Sequence, residues 1–189
     1  MCASLNPSSC FICYTVCMKF IMLSGHSCGG KSTVVKRLME EREHLYQLSP
    51  DSQKWLFSKY DRSVHREDVH VVMRAIAEAV CGMKYDIISD SGLFRETREK
   101  MLEIPSAHGY DVVEINLEAS WDTLGKRFDE RLERAKNFPE RKISNTSKEV
   151  FKEIYDIYER EKNPSAITLR TDEQDIEAVV TKVLEIISR

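Results

Sequence analysis

Gly25-His26-Ser27-Cys28-Gly29-Gly30-Lys31-Ser32 decides how this chain is read. The stretch fits the Walker A pattern G-x-x-x-x-G-K-[ST] and continues into Thr33. Glycines at 25, 29 and 30 let the backbone wrap inward until its N–H groups face phosphate oxygens. A helix starting at the lysine then presents its positive end to the same anion. Lys31 is expected to reach the β- and γ-phosphates of a nucleotide, Ser32 to hold Mg²⁺, and Thr33 to add a phosphate contact. His26, Ser27 and Cys28 complete the turn and contribute its backbone. The competing reading, an ordinary glycine-rich turn, leaves Lys31 without a purpose.

The flanks supply the context the pattern needs. Phe20–Ser24 is a short apolar run ending at glycine, and Val34, Val35, Leu38 and Met39 follow at helical spacing, so the order is strand, loop, helix. His44–Ser49 reads as a second strand ended by Pro50-Asp51. Val69, Val72, Met73, Ile76 and Val80 then recur on one helix face. Tyr85–Ser89 is the third strand, Arg95–Ala107 a helix stopped near Gly109, and Val113, Ile115 and Leu117 alternate as a fourth strand. Ser120 is an N-cap for a charged helix running to about Lys136. Thr146 with Glu149 has the form of a capping box before the Val150, Phe151, Ile154, Tyr155 and Tyr158 face. Ala166–Leu169 is a short last strand. Thr171 with Gln174 is expected to cap a final helix striped by Ile176, Val179, Val180, Val183, Leu184 and Ile187.

Five strands separated by helices predict an α/β fold, a parallel sheet covered on both faces, because right-handed crossovers place helices on alternate sides. Ligands of such sheets sit beyond the carboxyl ends of the strands, where the loops at Gly25, Asp51, Asp90 and Ser120 should gather. The length of 189 residues suits one domain, and 42% hydrophobic residues can bury an ordinary core. A net charge of −3 gives no overall attraction to nucleic acid or to an anionic membrane. No apolar run approaches the roughly 20 residues that cross a bilayer. Residues 1–17 carry no charge and hold Cys2, Cys10, Cys13 and Cys17. They lack the positive start of a secretory signal, and three close thiols without a fourth ligand make a poor zinc site. They read as a tail, with the functional domain at 18–189 beginning at Met18, in a reducing cytoplasm where Cys28 and Cys81 have no reason to pair.

A second cluster of chemistry follows the fourth strand. In Lys126–Lys136, Arg127, Arg131 and Arg134 recur at spacings of four and three and share one helix face. Planar guanidinium groups suit a spreading anionic transition state, so the segment at about 125–145 reads as a lid that closes over a transferred phosphoryl group. Interleaved Asp129, Glu130 and Glu133 allow a merely solvated helix; the phosphate loop upstream favours the lid. A GTPase would need an Asn-Lys-x-Asp-like segment after a late strand, and Ser58-Lys59-Tyr60-Asp61 lies before the third.

With these features in place, residues 18–189 resemble the small P-loop kinases that include the kinase domain of phage polynucleotide kinase, zeta-toxin-like kinases and antibiotic phosphotransferases. Ser49-Pro50-Asp51-Ser52-Gln53-Lys54 matches their acceptor motif, with Lys54 where arginine is more usual. Ile87-Ile88-Ser89-Asp90-Ser91 matches the acid ending the third strand, and Trp121–Arg127 looks like the helix entering the lid. The resemblance implies a three-layer P-loop kinase fold, ATP with Mg²⁺, and Asp51 as base toward an acceptor hydroxyl assisted by Lys54. It also implies Asp90 at a Mg²⁺-bound water or the acceptor, Arg127 and Arg131 at the phosphoryl group with Arg134 beside the acceptor, and adenine between Arg127 and Arg170-Thr171-Asp172. Asp61-Arg62-Ser63 looks like a deoxynucleoside kinase signature but lies before the third strand, so it reads as a helix cap, with Arg62 at the acceptor pocket. His65, His70 and His108 show no metal-like partnership. The expected activity is phosphoryl transfer from ATP to a hydroxyl of a small molecule or nucleoside. The alternatives are a polynucleotide 5′-hydroxyl acceptor, which the acidic net charge disfavours, and a regulatory nucleotide-binding NTPase. The acceptor's identity and the oligomeric state are not legible in the sequence.

Overall fold

Phe20, Ile21, Met22 and Leu23 are all fully buried. Four consecutive strand residues can be buried only if protein covers both faces of the sheet, the situation of a central parallel strand. The computed structural model, which describes residues 17–90, 94–137 and 147–188, shows that arrangement. In chain order the elements are β1 (Lys19–Gly25), α1 (Lys31–Glu41), β2 (Leu45–Leu48), α2 (Pro50–Lys54), α3 (Arg62–Gly82), β3 (Asp86–Ser89), α4 (Arg95–Ala107), β4 (Asp111–Glu118), α5 (Trp121–Asn137), α6 (Lys148–Glu161), β5 (Ile167–Arg170) and α7 (Ile176–Ile187). The sheet has the order β2-β3-β1-β4-β5 and every pairing is parallel. The longest register joins Lys19–Gly25 to Asp111–Leu117.

Alternate residues of β1 feed two cores. Ile21 and Leu23 pack with Val34, Val35 and Leu38 of α1 and with Val179, Val180, Val183 and Ile187 of α7. Phe20 and Met22 pack on the other face with Val69, Met73, Ala77 and Val80 of α3 and Met101 of α4. Each fully buried aliphatic or aromatic side chain is worth roughly 1.5–3 kcal/mol of transfer free energy, so the centre of the sheet is the most strongly held part of the molecule. A third cluster, Ala119, Leu124, Phe128 and Phe151, joins α5 to α6, with Phe128 and Phe151 stacked at 4.4 Å between centroids.

The structure moves several of the expected boundaries, each for a local reason. The second strand starts at Leu45 because His44 takes a left-handed φ of 55°, which no strand tolerates. Pro50-Asp51 is no plain turn; Pro50 opens α2, where its fixed φ and missing N–H are harmless, and puts Asp51 in the first turn. Strand β4 does not alternate at its carboxyl end. Ile115, Asn116 and Leu117 are all buried, because β4 lies between β1 and β5, and the Asn116 side-chain N–H donates to the Asn163 carbonyl at 3.0 Å. The last strand runs one residue later than expected. The cap of α6 is Ser147, whose hydroxyl accepts from the Val150 N–H at 3.2 Å; Thr146 lies outside the described residues.

The cap of α7 is likewise Asp175, not Thr171. Thr171 still belongs to the strand end, with its N–H bonded to the Glu118 carbonyl at 2.8 Å, whereas the Asp175 carboxylate accepts from the Ala178 N–H at 2.8 Å. The tail's residues 1–16 lie outside the described residues. Among the described residues no helix is long and apolar enough to cross a membrane.

Removing a capping carboxylate leaves a helix N–H without its partner. Asp175→Ala is therefore expected to lower stability by about 1 kcal/mol, a fall of roughly 2–4 °C in Tm, measurable by thermal denaturation. The same measurement should show a smaller loss for Gln174→Ala, since Gln174 does not cap the helix.

Candidate active site

Three glycines shape the loop between β1 and α1 for different reasons. Gly25 has a φ of 151°, and a Cβ there would lie 2.2 Å from the Leu117 carbonyl oxygen. A Cβ on Gly29 would lie 2.9 Å from the His26 carbonyl oxygen and 3.1 Å from that of Leu117. Gly30 has open space around it and is glycine for its left-handed φ of 95°. It is also the N-cap of α1, gives the helix no side-chain cap, and is followed by a first turn without an acid. The helix start therefore offers its N–H groups and partial positive charge to an external anion.

One cleft of about 1280 Å³ opens above this loop. The expected residues Gly25, Ser27, Cys28, Gly29, Gly30, Lys31, Ser32, Thr33, Asp51, Lys54, Arg62, Asp90, Arg127, Arg131, Arg134 and Thr171 all line it. They come from β1, α1, α2, α3 and α5 and from the loops after β3 and β5, so the topology gathers at one sheet edge what the sequence spreads over nearly 150 residues.

The Lys31 ammonium donates to the carbonyls of Gly25 at 2.7 Å and His26 at 2.8 Å. Desolvation lowers its pKa, while the negative charges of Asp90 and Asp51 oppose that shift. Asp51 is exposed and pairs at 2.5 Å with Lys54, whose buried side chain also lies 4.8 Å from the Trp55 ring centre. Asp90 stands at the end of β3 with its carboxyl raised in pKa by desolvation, against a hydrogen bond from Ser49 and the charge of Lys31. Its Oδ1 is buried and, among the described residues, has no hydrogen-bond partner. A carboxylate in that condition suits a cation, which would oppose the upward shift and fill its open lone pairs.

Arg127 is held in place. It donates to the Thr171 hydroxyl at 2.9 Å, the Thr171 carbonyl at 2.7 Å and the Cys28 carbonyl at 3.4 Å, and the Thr171 hydroxyl lies 3.2 Å from the Gly29 carbonyl. The first turns of α5 are thereby tied to the phosphate loop. Arg131 is close enough to lower the pKa of Lys31 by charge repulsion, and Arg134 donates to the carbonyl of Glu130 at 3.3 Å. Two of the interleaved acids pair elsewhere: Glu133 with Lys136 at 2.6 Å and Asp129 with Lys148 at 3.1 Å. Among the described residues Arg127, Arg131 and Arg134 have no carboxylate within ion-pair distance. Of the expected lid, residues 138–145 lie outside the described residues.

His26 departs from its expected place at the ligand. Its ring is 2% exposed and points away from the cleft. It stacks on Tyr155 at 4.5 Å with 13° between planes, meets Tyr158 edge-on at 4.4 Å, and makes a 2.8 Å contact from Nε2 to Glu159. Lys162 extends this network, 3.1 Å from Glu159 and 2.9 Å from Glu118. His26 anchors the loop to α6, and burial lowers its pKa despite the opposing Glu159. Asp61 caps α3 by accepting from the Ser63 N–H at 2.7 Å. Arg66, His70, Tyr60 and Gln174, none of them a site residue expected from the sequence, also line the cleft. The i,i+4 spacing of Arg62, Arg66 and His70 was the available signal.

Fold and site together define a nucleotide-binding protein of the P-loop kinase kind. The chain belongs to the AAA domain family, whose model matches residues 20–160. No curated protein matches it. Among solved structures it is similar to that of APE1195, with 22% identity and a TM-score of 0.67 over 90% of this chain and 95% of that one. It is also similar to an unliganded sugar kinase from Janibacter sp. HTCC2649, with 16% identity and a TM-score of 0.62 over 90% and 95% of the two chains. The Mycobacterium tuberculosis APS kinase CysC, solved with AMPPNP and APS, shares 17% identity and a TM-score of 0.61 over 91% and 98%. At these identities the likeness concerns the fold.

The His26 environment predicts a pH effect. Its folded pKa lies below 6.5, so on acidification the unfolded chain takes up the proton first. The contribution is fully present above 6.5 and is lost as pH falls from there toward the folded value. The urea midpoint of the protein is expected to drop on that descent, with a shallower slope in His26→Phe; the residual slope comes from His70, which burial also lowers.

Proposed function

We propose that this protein is an ATP-dependent kinase that transfers the γ-phosphoryl group to a hydroxyl of a small molecule or nucleoside. One observation carries the reading: one cleft holds a phosphate loop, an exposed carboxylate paired with a lysine, a half-buried carboxylate whose Oδ1 has no hydrogen-bond partner among the described residues, and an arginine face with no acidic partner among the described residues. A nucleotide switch needs the first of these but has no use for an acceptor acid and a phosphoryl-stabilising helix together.

The residues fit ATP and Mg²⁺. The glycine cradle excludes side chains where backbone must approach an anion, Ser32 and Asp90 would be the oxygen donors for the metal, and Arg127 with Thr171 would bound the nucleotide end of the cleft. When bound, ATP supplies the phosphoryl group and Mg²⁺ neutralises part of its charge. Asp51 then accepts the proton of the acceptor hydroxyl as that oxygen bonds to phosphorus and the bond to the departing diphosphate breaks. Lys54, paired with Asp51, holds that carboxylate in place. Lys31 and Arg131 offset charge on the transferred group, the contribution on which phosphoryl transfer chiefly depends. A cytoplasmic location accords with the free thiols of Cys28 and Cys81.

Labelled ATP incubated with pools of acceptors should show turnover stimulated by one acceptor. Asp51→Asn should cut that stimulated turnover by about 10²-fold or more while AMPPNP still binds. Turnover indifferent to every acceptor and to Asp51→Asn would instead identify a regulatory NTPase.

A further inference from the structure

Arg62 and Arg66 sit one turn apart on α3, are both exposed, and both line the acceptor side of the cleft. Of the other cations lining the cleft, Lys31 is bonded to loop carbonyls, Lys54 to Asp51, Arg127 to Thr171 and Arg134 to the Glu130 carbonyl, while Arg131 lies near Lys31 at the phosphate loop. Among the described residues neither Arg62 nor Arg66 has a carboxylate within ion-pair distance. The acids nearby are engaged: Asp61 caps its helix, Glu67 pairs with Arg74 at 3.3 Å, and Glu96 pairs with Lys100 at 2.7 Å while feeling the charge of Arg66. Arg66 also lies over the ring of Phe94, 4.0 Å from its centre. Stacking on a ring face fixes the guanidinium plane and leaves its N–H edge available to an oxyanion.

From these charges we infer that the acceptor is itself anionic: a small molecule whose reactive hydroxyl accompanies a phosphate, sulfate or carboxylate, with that group held by Arg62 and Arg66. The inference rests on the kinase reading above and narrows its substrate. ATP with Mg²⁺ would occupy Lys31 and the lid arginines, so the Arg62 and Arg66 charges are the ones left to be met by the acceptor. A neutral sugar would leave both uncompensated beside Asp51. A polynucleotide would call for a basic track along its backbone, whereas this is one pair of arginines on a chain of net charge −3.

The test uses the full chain saturated with AMPPNP and Mg²⁺, so that the phosphate loop is filled, and follows inorganic phosphate binding by titration calorimetry. Phosphate should bind, and R62Q/R66Q should weaken it at least tenfold, with R62K/R66K weakening it less. Phosphate binding that is equal in R62Q/R66Q, or that AMPPNP abolishes, would overturn the subsite. So would a 5′-hydroxyl oligonucleotide whose binding depends on the two arginines when that of phosphate does not. Failure of AMPPNP itself to bind would sink the kinase reading instead. Unchanged thermal melting of the variants confirms that the loss is local, as expected for exposed side chains.

Discussion

The close approach of the phosphate loop to β4 is the constraint on which the site depends. Gly25 and Gly29 both face the Leu117 carbonyl, and Gly25 leaves no room for a side chain. That contact requires β1 to pair with β4 along its whole length, which in turn requires a central strand buried on both faces. The hydrophobic cores on either side of β1 thus do more than hold the domain together; they fix where the loop can turn and where α1 begins. A loop whose N–H groups must converge on an anion gains from such a rigid support, since a small displacement weakens several charge-assisted bonds at once.

Charge is sorted with similar economy. Several arginines away from the cleft are matched: Arg37 with Glu177, Arg42 with Asp86, Arg98 with Glu114. Within the cleft Asp51, Asp90 and the helix cap Asp175 stand among Arg62, Arg66, Arg127, Arg131 and Arg134. Asp51 and Asp90 differ by environment: Asp51 is exposed and paired with Lys54, whereas desolvation raises the pKa of Asp90.

Most of this architecture was legible because it is written in periodicity and in one motif of fixed spacing. Arg95–Ala107 could be read to the residue, and the cleft contains nearly every side chain that the motifs nominated. What escaped depended on contacts between distant segments. Thr171 has the local form of a cap, but the strand ladder claims its backbone and Arg127 its hydroxyl, so the cap passes to Asp175. His26 looks like a spacer because nothing near it in sequence explains an imidazole; its partners lie more than 120 residues away on α6. Asn116 broke an alternating pattern for the same reason, its side-chain N–H being bonded to a loop 47 residues on.

The two ties from the phosphate loop have a consequence for α5 and α6. Arg127 fastens α5 to Cys28, and the ring of His26 fastens α6 through Tyr155 and Tyr158. Helices that converged only around a ligand would surrender conformational freedom on binding it. Here both meet one eight-residue turn when the domain folds, so that loss falls on the folding equilibrium and is not repeated at each encounter with a nucleotide.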